Sequence, residues 1–343
     1  MTAQSSAQAS QQRSGRIDGI DLLRGMAIAL VMLRHAWPSV FPGAGVVGVV
    51  MFFALSGYLI TGLLVDELDR TGRVDLRRFY VRRARRLVPA LLFLVAGVVV
   101  VTLLLDPLGD RDELVKTVLV ALTWTGNLPF GHASDATFHL WTLATEEQFY
   151  LLWPAVLVAA AARGRTHLAL LLVAGACVLA CAATLVWLRE EPDLAYSLPT
   201  SWAVCFVVGG ATRLLGRRLV VPALAVPVAL VGLAVLSVVP LRGHALTYLA
   251  GGPAIAALTA VLLLSWRTWA DVSGPARALV VLGTVSYGAY LWNYPLTLWL
   301  RPSLDGLAGP VALALTLVMA AVSWRLVETR VARRSRAPQT VSA

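Results

Sequence analysis

Charge is what this sequence has least of. Only 14% of its 343 residues are Asp, Glu, Lys or Arg, against roughly a quarter in soluble domains. With 58% of residues hydrophobic and a mean hydropathy of +0.74, the apolar side chains exceed what a compact water-soluble core can enclose, so lipid must be the solvent for much of the chain. Lysine is nearly absent: Lys116 stands alone among 29 basic residues. The net charge of +10 does not point to nucleic acid, because the arginines fall in short intervals between apolar runs, as in membrane proteins. Cysteine is scarce too. Cys177, Cys181 and Cys205 lie in apolar segments without CxxC or Cys/His spacing, which excludes a metal site of that kind and leaves packing as their use. No clear repeat, no second soluble domain and no cleavage site after the first apolar stretch is visible. The polar start, MTAQSSAQASQQRSGRIDG, reads as a disordered cytoplasmic tail over 1–19, followed by one membrane domain over 20–330 and a second tail over 331–343.

What is present in abundance is apolar runs of bilayer length. A spanning helix needs about 20 residues at roughly 1.5 Å each. Ten stretches qualify: 20–38, 45–65, 87–105, 140–162, 167–188, 198–215, 219–240, 246–266, 279–300 and 308–327. The run from Leu114 to Trp124 is too brief. Counting it as a further span would place the acidic stretch at 189–193 inside and Arg163 and Arg165 outside, against the positive-inside rule. Residues 106–139 are therefore read as an external or re-entrant segment. The fold class expected is an all-α polytopic protein of about ten transmembrane helices, multi-pass in the cell membrane, with both termini cytoplasmic.

Ionisable groups inside a span are costly, so each is a functional candidate. In DLLRGMAIALVMLRHAWP, Arg24 and His35 are eleven positions apart, within roughly 20° of three full turns, and share one helix face. Asp21 lies on that face one turn earlier, and Gly25 permits close approach. Arg34 falls on another side and suits snorkelling to the interface. A lone pair of this kind could be an end-of-helix charge and a hydrogen-bonded histidine. Yet an imidazole with a pKa near 6.5 can take a proton from a hydroxyl, and a guanidinium can hold a phosphate or carboxylate. A second constellation, FHLWTLATEEQFYLLWP at 138–154, offers His139, Glu146, Glu147 and Gln148. Adjacent carboxylates project about 100° apart, so one of Glu146 and Glu147 can face a given site and orient a catalytic imidazole. Trp141, Tyr150 and Trp153 in the same stretch also suit an interfacial aromatic belt. A third feature crowds Arg77, Arg78, Arg82, Arg83, Arg85 and Arg86 into a loop before the third span. Anionic lipid is the ordinary partner of such a run, and the phosphates of a nucleotide-bearing acyl donor would suit it equally.

Taken together these residues resemble the acyltransferase-3 family of membrane O-acyltransferases. Arg24 and His35 match its Arg, ten residues, His signature. MFFALSGYLIT at 51–61, RRARRLVPA at 82–90, the 138–154 stretch, SYGAYLWNYP at 286–295 and SWRLVETR at 323–330 match further motifs along the whole membrane domain. Two positions depart from the pattern. Asn293 stands where the family commonly has His, which reduces any proton-transfer role there to hydrogen bonding, and Glu328 is followed by Thr329 and Arg330.

The resemblance implies transfer of an acyl group, most often acetyl, from acyl-CoA as co-substrate to a hydroxyl of a carbohydrate or glycosylated small molecule such as an envelope polysaccharide or a macrolide. No permanently bound cofactor and no metal is expected. Arg82, Arg83, Arg85, Arg86 and Arg24 would hold the CoA phosphates. His35, oriented by Glu146 or Glu147, would act as base toward the acceptor or carry the acyl group transiently, and His139, Trp141, Asn293 and Tyr294 would line the acceptor site. Many relatives carry an appended extracytoplasmic hydrolase-like domain that finishes the transfer. This sequence stops at 343, so the membrane domain or a separate partner is expected to finish it. The alternative is a secondary transporter or flippase of a lipid-linked or small-molecule substrate, which should show paired broken helices in matching halves. A non-enzymatic scaffold has no use for Arg24 and His35 on one face.

Overall fold

The computed structural model describes residues 17–128, 134–216 and 219–328. The tail expected over 331–343, and all of the first tail before Ile17, lie outside the described residues. The first helix, α1 (Asp18–Ala36), begins two residues ahead of its expected span. Asp18 and Asp21 occupy its first turn and Arg34 and His35 its last, each end carrying the charge that complements the helix dipole.

α2 (Ala44–Thr71) and α3 (Leu76–Leu104) extend well past their apolar runs. Gly72, at φ 72°, ends α2 in the left-handed conformation. Asp75 then caps α3 by accepting from the Arg78 backbone N–H at 2.9 Å. The arginine run expected in a loop is therefore helical, and only the turn between Thr71 and Leu76 is not. α4 (Leu114–Thr123), at 10 residues, is about half the length a bilayer requires and packs against α3.

α5 (Trp141–Ala161), α6 (Thr166–Trp187), α7 (Ala203–Leu215) and α8 (Ala225–Ser237) follow. α9 (Gly252–Trp266) continues from a π-turn at Thr247–Gly251. The span expected over 279–300 is broken into α10 (Ala276–Thr284) and α11 (Ser286–Leu304), which meet at Val285. α12 (Ala308–Ser323) closes the domain. Among the described residues there is no strand, and five helical stretches are long and apolar enough to cross a membrane: Ala44–Thr71, Leu76–Leu104, Thr166–Trp187, Thr247–Trp266 and Ser286–Leu326. The protein is a multi-pass membrane protein.

α2 is the centre of the bundle: 78% of its most apolar window is buried, against 22% for α6. On α6 Leu171, Leu179 and Val186 are 70%, 72% and 73% exposed, an apolar surface that only lipid can cover. Around α2 the helices approach through glycines. At Gly57 a Cβ would stand 2.0 Å from the Phe206 carbonyl oxygen, and at Gly209 it would stand 1.9 Å from that of Ala54, so α2 and α7 touch backbone to backbone. The same exchange joins α1 to α10, where a Cβ on Gly25 would stand 1.9 Å from the Leu279 carbonyl oxygen and one on Gly283 would stand 1.8 Å from that of Asp21.

The arginines that the loop-charge bias assigns to one side gather at one end. There Asp18 binds Arg277, Asp66 accepts from Arg213 at 2.5 Å, and Glu67 lies 3.6 Å from Arg82.

A methyl group cannot be absorbed at these crossings without moving a backbone. Gly57→Ala and Gly283→Ala should each lose at least about 1–3 kcal/mol, read as a lower thermal midpoint in detergent. Gly175→Ala on α6 meets nothing within 4 Å and should be neutral or gain roughly 0.5–1 kcal/mol.

Candidate functional site

The twist of α3 divides its arginines. At about 100° per residue, Arg82, Arg83 and Arg86 share a face with Phe79 and Leu87 and line a cavity of ≈ 390 Å³. Arg85, on the other side of the helix, is exposed and does not line it. Of the four arginines of this helix expected to hold a donor, three therefore line the cavity and Arg85 does not. Arg77 and Arg78 are exposed one turn or more earlier. Arg24 reaches the same cavity from α1, donating to Ser286 Oγ at 3.0 Å and lying 4.0 Å from Asp21. The break at Val285 is what brings Ser286 there.

α5 supplies the carboxylates. Glu146 faces the cavity and accepts from Ser56 Oγ at 3.1 Å and from Tyr150 Oη at 3.2 Å. Glu147, one position on, turns to Arg83 at 3.6 Å. The Arg83 guanidinium lies 3.4 Å from the centre of the Tyr150 ring, and its Nε is buried with no hydrogen-bond partner. Neither glutamate meets His35, so the expected carboxylate on the imidazole is corrected: the residue that binds it is Asn293.

His35 Nδ1 and Asn293 Oδ1 are 2.6 Å apart. The tautomer follows from a chain of donors. The Ala312 carbonyl can only accept, so the Thr316 hydroxyl 2.6 Å away donates to it. Thr316 can then only accept from Asn293, whose Nδ2 lies 3.2 Å off, leaving Oδ1 toward the ring. His35 must therefore carry its proton on Nδ1 and present the Nε2 lone pair as a base. Asn293, 1% exposed, has both halves of its amide engaged in this chain.

His139, 4% exposed, donates from Nε2 to the Leu291 carbonyl at 3.1 Å, and its Nδ1 has no hydrogen-bond partner. Tyr294 bridges the two histidines, with ring centroids 5.0 Å from His35 and 5.3 Å from His139. Trp141 is 2% exposed and packs on Phe53 and Tyr196. Trp153 donates to Thr61 Oγ1 at 2.8 Å, and Tyr150 is 3% exposed. These three aromatics are interior residues, not an interfacial belt. Asn127 and Gln148 exchange amide hydrogen bonds at 2.8 and 2.9 Å.

Arg24 and His35 both bond to α11, at Ser286 and Asn293, so they share the face that their spacing requires. They do not share one open groove. His35 is absent from the cavity lining, and the cavity wall on its side carries a septum of paired hydroxyls: Tyr290 and Thr142 line the cavity, their hydroxyls are 2.5 Å apart, and Tyr290 also donates to the His139 carbonyl at 2.9 Å. The stem of Arg34 crosses Gly45 of α2, where a Cβ would stand 3.0 Å from its Cγ, and its half-buried head lies within electrostatic reach of Arg242, Arg301, Tyr196 and Tyr294. Sequence spacing gave no sign of Ser56, Thr142, Ser286 or Tyr290, since single hydroxyls in apolar helices carry no periodic signal; the motifs at 51–61, 138–154 and 286–295 that contain them were the available pointers.

An apolar helical bundle with an arginine-lined cavity at one end and a paired imidazole beyond it is the architecture that a membrane-embedded acyltransferase domain would need. Residues 17–328 match the acyltransferase-3 family, an acyltransferase domain, and the chain belongs to that family. It is 40% identical over 149 residues to the O-acetyltransferase OatA of Staphylococcus aureus strain NCTC 8325 / PS 47, covering 41% of this chain and 24% of that protein. It is 28% identical over 355 residues to the peptidoglycan O-acetyltransferase OatA of Listeria monocytogenes serovar 1/2a, covering 91% of this chain and 55% of that one. The chain thus spans about a quarter and about half of the length of these relatives. No solved structure matches it.

Removing Arg83 takes the cation from two part-buried carboxylates. Arg83→Ala should cost about 1–3 kcal/mol and lower the thermal midpoint, whereas Arg85→Ala should stay within roughly 0.5 kcal/mol of the parent.

Proposed function

We propose that this protein is a membrane O-acyltransferase that moves an acyl group, most often acetyl, from acyl-CoA to a hydroxyl of a carbohydrate or glycosylated small molecule. The observation that carries the reading is the cavity in which Arg24, Arg82, Arg83 and Arg86 converge on an apolar, aromatic wall ending at the septum before His139 and His35. Its volume falls within the roughly 300–1,000 Å³ of small-molecule sites. Guanidinium forks match phosphate geometry, and the unpartnered Arg83 Nε is a donor that a phosphate oxygen would satisfy. The cluster lies at the end that the charge bias assigns to the cytoplasm, where CoA is found.

In this mechanism the donor phosphates rest on the arginines and the thioester points toward Tyr290 and Thr142. His35 Nε2 takes the proton of the acceptor hydroxyl as its oxygen attacks the thioester carbonyl. The new C–O bond replaces the C–S bond, and the departing thiolate recovers the proton from the imidazolium. Asn293 holds the neutral ring in the competent tautomer and adds no charge of its own. A variant of the scheme has Nε2 attack the thioester and carry the acyl group before passing it to the hydroxyl; both need the septum to open. The relatives' names, O-acetyltransferase and peptidoglycan O-acetyltransferase, support acetyl as the group and a glycan as the acceptor class. A transporter or flippase would not need the Nδ1 proton of His35 to be fixed.

Three measurements test the reading. His35→Ala should lower labelled-acetyl transfer by at least about 10²–10⁴-fold while the folded protein keeps its affinity for acetyl-CoA; turnover at the parent rate would remove His35 from the chemistry. Asn293→Leu should give a smaller loss of the same kind, in kcat and not in donor affinity. Acetyl-CoA at about one hundred times its Kd should stabilise the parent by roughly 2.7 kcal/mol in a thermal shift, and Arg82→Gln and Arg86→Gln should each diminish that shift.

A further inference from the structure

The end of the bundle opposite the donor cavity carries its own set of arginines and rings, placed around His35. Arg301, near the end of α11, donates from Nη2 to the His35 carbonyl at 3.1 Å. Arg34 immediately precedes His35 on α1. From the imidazole a continuous line of rings leads outward: Tyr294 at 5.0 Å from His35, Phe138 at 6.5 Å from Tyr294, and Tyr196 stacked 6.5 Å from Phe138. Arg242 closes the line, 4.8 Å from the Tyr196 ring centre and 5.8 Å from that of Phe138.

The charges on this rim are unevenly matched. Arg242 is spent on Asp193, which accepts from its Nε at 2.7 Å and from its Nη2 at 2.8 Å. Among the described residues no carboxylate lies within ion-pair distance of Arg34 or Arg301. Asp135, exposed at the edge, acts on Tyr294. Arg34 lies within electrostatic reach of Arg301 as well as of the paired Arg242, so Arg34 and Arg301 are two like charges held close together, an arrangement that an added oxyanion relieves.

We infer that this rim is the acceptor subsite and that its ligand is an anionic saccharide, bearing a carboxylate or phosphate close to the hydroxyl to be acylated. The inference rests on His35 being the base that receives the acceptor. The rings Tyr294, Phe138 and Tyr196 offer flat, amphipathic faces to a sugar. Arg34 and Arg301 offer two forks to an oxyanion beside the hydroxyl that reaches His35 Nε2. A purely neutral glycan would leave both forks without a counter-charge.

The test uses the full chain in nanodiscs of zwitterionic lipid. Affinity for trigalacturonate is compared with that for its fully methyl-esterified form, and maltose 1-phosphate with maltose, first without donor and then with labelled acetyl-CoA. The expected result is about tenfold tighter binding of the anionic member of at least one pair, the worth of one charge-assisted contact, shrinking as NaCl is added. Arg301→Gln and Arg34→Gln should each bring that ratio toward one, and Arg301→Lys should retain part of it. Should either Gln variant fail to fold, the salt dependence in the parent protein still decides the matter. Equal affinity within both pairs, or no binding by any of the four, overturns the inference. Competition by phosphatidylglycerol added to the nanodiscs also overturns it, by making the rim a lipid headgroup site. Acetylation without charge preference would sink the anionic subsite and leave acyl transfer standing; anion-selective binding with no acetylation would do the reverse.

Discussion

Backbone contact between α1 and α10, through Gly25 and Gly283, is the constraint on which the site depends. With no side chain between them the two helices close to touching distance, and α10 must then stop, because a straight continuation would carry the following residues away from α1. The chain bends at Val285 and restarts as α11 alongside the same helix. Ser286 consequently meets Arg24 and, seven residues later, Asn293 meets His35. Two polar tethers on one helix pair thus follow from two absent side chains.

Much of this was legible in the sequence. Apolar runs of bilayer length gave the helical class, and eleven-residue spacing put Arg24 and His35 on one face, where α11 finds them. The pairing of Glu146 or Glu147 with His35 was not legible, because both groups are near an imidazole in sequence-level topology and only tertiary packing decides which partner it takes. Arg83 draws Glu147 away, Ser56 and Tyr150 draw Glu146, and Asn293 is left for the ring. The arginine run read as a loop for a related reason: charge suppressed the apolar signal, while the Gly72 and Asp75 caps made it helical. The break at Val285 has no proline or glycine beside it and gave no local sign.

The arrangement also explains how carboxylates persist in an apolar bundle. Glu146 and Glu147 sit with Arg83 and Tyr150 in one compact group, in which a cation lies against a ring and each carboxylate has a donor or an opposite charge. Such a group is costly to assemble and more costly to leave half built, which ties the cavity wall to the integrity of the fold.

The septum has an electrical consequence. A bilayer that stores energy as a potential, about 2.3 kcal/mol per charge for each 100 mV, cannot tolerate a polar slot running through it. Tyr290 and Thr142, bound to each other and to the His139 backbone, interrupt the line of polar groups between Arg24 and His35 with two paired hydroxyls, neither of which carries charge across the bilayer.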